Sequence, residues 1–325
     1  DEILFANDKP YDTMLSVFGI NKNPPPGNLR EYGIETRIAP LSSDGELDIE
    51  AILSLVNRHT RIIAFQRSRG YSNHPSLTID KMAKAIGRLR IKIPSRIVIF
   101  VDNCYGEFVE EQEPLEVGAD IMAGSLIKNP GGGLAPSGGY VVGKKELVDQ
   151  VAAALFAPGI GGEVGATLAN PRPFFQGFFE APTRVGEMLK SATLWAKIFQ
   201  SQGLKVSPHP EELRTDIIQR VEFGSGERLQ NFCRVLQKMS PVDSRLTPLA
   251  DEMPGYDHPV IMAAGTFIAG STSELSVDAP FISPYYAFLQ GGLILTHTKL
   301  TILHWLKLWE NKEGNFINGQ DSSIK

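Results

Sequence analysis

The chain of 325 residues is 42% hydrophobic and 21% charged, the profile of a globular protein with a sizeable core. That length suits one large domain and a smaller one, at roughly 100–200 residues per domain. With 32 basic against 37 acidic residues, a net charge of −5 and no Lys/Arg-rich block, nucleic acid is not an expected partner.

The first residue is Asp1, and "DEILFANDKP" reads as a strand already inside a fold, so further sequence is expected ahead of it. "RIIAFQRS" (61–68), "RIVIFVDN" (96–103) and "ADIMAGS" (119–125) are apolar on consecutive residues, the pattern of strands buried on both faces of a parallel sheet. Between the first two, "LTIDKMAKAIGRLR" sets Ile79, Met82, Ile86 and Leu89 on one helical stripe. Strand, helix and strand at this spacing form a βαβ unit and predict a mostly parallel α/β sheet. "GGYVVG" reads as a strand, and "KELVDQVAAALF" and "RVGEMLKSATLWAKIFQSQG" (184–203) as helices. The pattern then changes. "GLKVSP" is a short strand, "ERLQNFCRVLQKM" a helix with Leu229, Phe232, Cys233 and Leu236 on one face, and "HPVIMAAGTFIAGSTSELSVD" a strand pair. "LTILHWLKLW" closes with Ile302, Trp305, Leu306 and Trp309 together. The expected division is a large domain over 1–203, a small α/β domain over 204–310 and a polar, disordered tail over 311–325.

No apolar run approaches the roughly 20 residues needed to span a bilayer, and no secretory leader is expected. Cys104 and Cys233 lie far apart, without CxxC or Cys/His spacing. That speaks against a disulfide framework or a metal site and suits a reducing, cytoplasmic setting.

Asp102 follows Ile97 to Val101 and ends a buried strand; Lys128 follows the next strand, 26 residues later. If those strands are parallel neighbours, carboxylate and amine meet in a crevice at the carboxyl edge of the sheet, where open α/β sheets bind ligands. Such a pair suits pyridoxal 5′-phosphate: the lysine takes the aldehyde carbon, and the carboxylate keeps the pyridine nitrogen protonated. Burial and cationic neighbours are expected to lower the lysine pKa from about 10.4. Ser125 and Gly124 are expected at the cofactor, and the backbone of Gly131, Gly132 and Gly133 close to ligand or a neighbouring chain. Taken singly, an Asp ending a strand also suits a turn, and a Lys before Asn-Pro-Gly also suits a loop. Nucleotide binding is the weaker alternative, because neither GxxxxGK[ST] nor GxGxxG occurs.

"FVDNCYGEFVEEQEPLEVGADIMAGSLIKNPGGGLAPSGGY" (100–140) resembles the signature of the methionine γ-lyase-like, or aluminium-resistance, family, a branch of the fold type I pyridoxal-phosphate enzymes related to cystathionine lyases. "PYDTM" (10–14), "QRSRGYSNHPSLTI" (66–79), "DIIQRVEFG" (216–224), "SPVDS" (240–244), "MPGY" (253–256) and "MAAGTFIAGSTSELS" (262–276) resemble its other blocks, in order. The resemblance implies that Lys128 is the Schiff-base lysine, Asp102 the pyridine-nitrogen partner and Ser125 a phosphate contact. It also implies a small amino-acid substrate and a homo-oligomer, dimer or tetramer. The family's "YSWRPSL" reads "YSNHPSL" here, and its "GPxRxPY" reads "APFISPY", with Ile282 where an arginine is expected.

For the substrate carboxylate the candidates are Arg67 and Arg69, since arginine offers a bidentate fork; a surface or subunit-contact role is the alternative. Tyr105 is placed to reach the ring or substrate, or else packs in a turn. Glu107, Glu110, Glu111 and Glu113 read as a solvated helix face. The expected activity is carbon–sulfur elimination from a sulfur amino acid, giving 2-oxo acid, ammonia and thiol. The alternative is a truncated or degenerate family member acting as a structural or partner-binding protein.

Overall fold

The computed structural model describes residues 1–156, 159–165, 167, 169–253, 255–267 and 273–318, without the side chains of 164 and 310–318. It separates into two units, the first made of Asp1–Gly186, Glu212–Ile218 and Met253–Asp257, the second of the remainder.

The apolar runs of the first unit become a six-stranded sheet. Its strands are β1 (Glu2–Phe5), β2 (Glu35–Ile38), β3 (Thr60–Gln66), β4 (Val98–Asp102), β5 (Ile121–Ser125) and β6 (Gly139–Gly143). Their order is β2-β1-β3-β4-β5-β6. Every neighbouring pair is parallel except β5 with β6. Ile63, Ile99 and Val101 are fully buried in the central strands. The helices are α1 (Asp12–Phe18), α2 (Ile49–Leu55), α3 (Ile79–Lys92), α4 (Lys145–Leu155) and the start of α5 (Arg172–Ser201). Thr78 caps α3 by accepting from the Lys81 amide, worth about 1 kcal/mol. Ile79, Met82, Ile86 and Leu89 turn that helix's apolar stripe into the core, each stabilising by roughly 1.5–3 kcal/mol.

The second unit carries a five-stranded sheet of β7 (Lys205–Ser207), β8 (Gln219–Glu222), β9 (Val260–Ala264), β10 (Ser276–Pro280) and β11 (Tyr286–Gln290). The order is β7-β8-β11-β10-β9, antiparallel throughout. Helices α6 (Gly226–Lys238) and α7 (Leu295–Asn318) belong to it. Its core gathers Trp195, Phe199, Phe223, Phe232 and Trp305 with Leu229, Cys233 and Leu236.

Four expectations change. The boundary between units falls inside α5, at Gly186/Glu187 rather than after residue 203, and two short segments return to the first unit. That helix begins at Arg172, twelve residues before the expected start, and runs through Pro182, which removes one amide donor without ending it. The backbone of 311–318 continues α7, while 319–325 lie outside the described residues, as do Pro254 and residues 268–272 of the quoted family blocks. The stretch holding Glu107 to Glu113 is turn and bend, not helix.

Candidate active site

Adjacent parallel pairing brings the two expected residues to one edge: Asp102 of β4 lies opposite Ala123 of β5, and Lys128 follows β5 by three residues. The Asp102 carboxylate accepts from the Cys104 amide at 3.1 Å and starts a tight turn. Tyr105, next in that turn, has φ +68°, a left-handed backbone that side chains rarely adopt. The turn aims its ring at the following loop, where Lys128 Nζ stands 4.3 Å from the ring centroid, a cation–π contact. Ser125 and Gly124 end β5 opposite Gly139 and Tyr140 of β6.

The electrostatics differ from expectation. Burial pulls the Lys128 pKa down, but Tyr105, Cys104, Asp102 and Glu107 outweigh it, so the net displacement is upward. Neighbours of acidic character, not cations, surround this lysine. Burial and the Asp102 charge push the Cys104 thiol up to about 12, against the pull of Lys128.

Arg67 is not available to a substrate carboxylate. It is fully buried, donating to Glu110 Oε2 at 2.9 Å, to Glu113 Oε2 at 3.0 Å and to Asn103 Oδ1 at 2.9 Å. The loop after β4 winds around it, and a side chain at Gly106 would overlap its aliphatic stem. The acidic run is accordingly not a solvated face: Glu110 and Glu113, both partly buried, hold this guanidinium, Glu107 is 4% exposed, and of the four Glu111 alone is fully on the surface. Arg69 is buried beyond the carboxyl end of β3. Near it is Arg214, which the sequence pattern did not single out. Burial brings the Arg214 guanidinium down to about 10; Asp216 opposes the fall and the Arg69 charge adds to it. Asp216 in turn accepts from Ser68 at 2.7 Å, from Ser76 and from the Ile218 amide at 3.0 Å.

Gly131 and Gly132, after Lys128, lie against the chain's own helix. A side chain at Gly132 would overlap the carbonyl of Gly177 in α5, and one at Gly177 would overlap the carbonyl of Gly131. Backbone therefore lies directly on backbone, and this fixes the lysine loop. Three tyrosines of the quoted blocks meet, to which the sequence pattern gave no role: Tyr11 and Tyr256 share a 2.6 Å hydroxyl contact, and Tyr71 stacks on Tyr256 at 5.7 Å. Tyr11 and Tyr71 follow the carboxyl ends of β1 and β3, on the same sheet edge as Asp102.

A crystal structure of metB from Corynebacterium glutamicum, 18% identical, superimposes with a TM-score of 0.60 over 94% of this chain and 75% of that one. The architecture is that of the fold type I pyridoxal-phosphate enzymes. The family model for methionine gamma-lyase matches residues 1–309, and the chain belongs to that family. A crystal structure from Listeria monocytogenes, provisionally named a cystathionine beta-lyase involved in aluminium resistance, is 44% identical with a TM-score of 0.90, over 94% of this chain and 75% of that one. The uncharacterized protein YnbB of Bacillus subtilis is 45% identical over 93% of this chain and 72% of its own length. Among the described residues no helix is long and apolar enough to cross a membrane.

Proposed function

We propose that this chain is a carbon–sulfur lyase that uses pyridoxal 5′-phosphate to break down a sulfur-containing amino acid. The observation carrying the reading is the carboxylate and the amine that follow adjacent parallel strands, with Tyr105 against the lysine. This donor set fits the group: Lys128 is the amine for its aldehyde and Asp102 the carboxylate for its ring nitrogen. Ser125 and Gly124 stand at the strand end where its phosphate would be held. Bound there, the cofactor supplies an electron sink that acidifies the substrate's α-hydrogen and lets a thiol depart.

The chain's own residues supply the rest. Lys128 Nζ takes the proton from the substrate's α-carbon. Arg69 and Arg214 orient the substrate carboxylate, which suits two cations close enough to repel each other. The products of substrate and one water are a 2-oxo acid, ammonia and a thiol. Methionine, cystathionine and homocysteine derivatives all fit that chemistry. The cysteines, both free thiols, suit a cytoplasmic setting. A homo-oligomer is part of the proposal, supported by Phe175, Phe178 and Phe179, exposed at helical spacing on α5.

The test is to add pyridoxal 5′-phosphate to the purified chain and record protein-bound absorbance at the edge of the visible. Thiol and 2-oxo acid released from cystathionine and methionine are measured alongside. Lys128→Ala is expected to lose the band and the activity while keeping its circular dichroism. A wild-type chain that stays colourless and releases neither product overturns the reading and leaves the structural or partner-binding role.

A further inference from the structure

Lys128 sits among groups that hold it charged, yet a working amine must lose its charge. The loop after β4 contains a candidate answer that the lyase reading does not use. Glu107 is 4% exposed. Its Oε1 accepts from the Tyr140 hydroxyl at 2.8 Å, and its Oε2 is buried with no hydrogen-bond partner among the described residues. Asn129, next to Lys128, ties the two loops together by donating Nδ2 to the Glu107 carbonyl at 3.0 Å; its own Oδ1 is buried and likewise unpartnered. Room for the carboxyl comes from Gly124, where a side chain would overlap Glu107 Oε1 and come within 2.6 Å of the Tyr140 ring.

We propose that Glu107 is a proton-holding partner of Lys128, a positioning residue whose carboxyl stays protonated while the lysine is an uncharged amine and ionises only opposite the ammonium. A buried carboxylate with one unsatisfied oxygen is costly unless a cation faces it. Arg67, the buried cation around which the same loop winds, is already committed to Glu110 and Glu113. A protonated carboxyl, by contrast, turns Oε2 into a donor, and Asn129 Oδ1 is an acceptor to spare among the described residues.

The groups around Glu107 act consistently. Burial pushes its pKa up to about 8; its own backbone amide and then the Tyr140 hydroxyl pull it down, the Glu113 charge lifts it, and the Lys128 charge lowers it. Cys104 and Tyr140 are themselves held neutral, both with raised pKa values. Below about pH 8, then, Glu107 is uncharged and does not oppose loss of the lysine's proton. Above it, a proton leaving the ammonium can pass to the carboxylate, giving amine and acid with no change in the pair's net charge. The two titrate as a coupled system. The catalytic consequence rests on Lys128 being the working amine, but the coupling is a property of the chain without cofactor.

The experiment is a carboxyl-carbon NMR titration of the full chain labelled with ¹³C-glutamate, without cofactor. Wild type is expected to show one glutamate titrating near pH 8, and Glu107→Gln to remove that signal. In Lys128→Met the same carboxyl should titrate higher by about one unit or more, the effect of removing an opposite charge from a buried site. Lys128→Arg, which keeps the charge, should leave it near the wild-type midpoint. No glutamate titrating above the ordinary range, or equal midpoints in Lys128→Met and Lys128→Arg, overturns the proposal. Should Lys128→Met fail to fold, the readout becomes the Lys128 titration of ¹³C-lysine-labelled chain. Glu107→Gln must then make the lysine lose its proton at lower pH than wild type, and an unchanged lysine refutes the coupling. Neither readout needs lyase activity, so failure here and failure of the lyase reading are separable.

Discussion

Replacing Arg67 with methionine removes a fully buried cation while roughly keeping its volume. Four bonds are lost: to Glu110 and Glu113 at 2.9 and 3.0 Å, to Asn103 at 2.9 Å and to Thr215 at 3.4 Å. Breaking a buried pair by removing one partner costs about 3–5 kcal/mol, because the other charge is left uncompensated. Here the acids keep some support. Glu110 still accepts from Thr215 at 2.6 Å and from the Ile79 amide at 3.1 Å, and Glu113 from the Phe108 amide and Asn103, each at 2.9 Å. Their side chains are also 15% and 26% exposed, so water relieves part of the charge. The expected loss is therefore near the lower end, about 3 kcal/mol. Urea unfolding followed by far-ultraviolet circular dichroism measures it. Adding Glu110→Gln and Glu113→Gln to Arg67→Met should recover part of the loss, since the stranded charges go with it. A variant within about 0.5 kcal/mol of wild type, with a raised KM, would refute the reasoning and return Arg67 to the substrate.

The close approach of the lysine loop to α5 makes Gly177→Ala destabilising by about 1–3 kcal/mol, with less cofactor-dependent absorbance per chain. Gly186→Ala on the same helix meets nothing within 4 Å, and there the gain in helix propensity should stabilise by about 0.5–1 kcal/mol; equal unfolding midpoints for the two variants would contradict this. Sedimentation velocity should find the chain as a dimer or tetramer, and the double variant Phe175→Ser, Phe179→Ser should shift it toward monomer. A wild-type monomer at micromolar concentration would sink the oligomer proposal.

The parallel sheet was legible because buried central strands are written as unbroken apolar runs, and the pairing of β4 with β5 follows from the short crossover between them. That pairing alone brought Asp102 and the Lys128 loop to one edge. Arg67 was misread because its partners lie 43 and 46 residues away, and a local pattern cannot say that a strand-end arginine is already occupied. The spacing of Glu107, Glu110, Glu111 and Glu113 does suit a helix. What prevents one is the left-handed backbone at Tyr105 and Phe108, φ +68° and +62°, which side-chain identity does not announce. Arg214 and Tyr256 reach the first unit from segments that interrupt the second, an arrangement invisible to any window on the sequence.

The winding of the β4 loop around one guanidinium has a consequence for how this protein can change. Arg67, Glu110, Glu113 and Gly106 form a set: losing Arg67 strands two carboxylates, losing both acids strands the guanidinium, and a side chain at Gly106 overlaps it. Substitutions there are tolerable only in concert, so descendants should keep all four or exchange them together. Tyr105 rides on that loop and Asp102 leads into it, so both inherit that inertia, whatever molecule they come to serve.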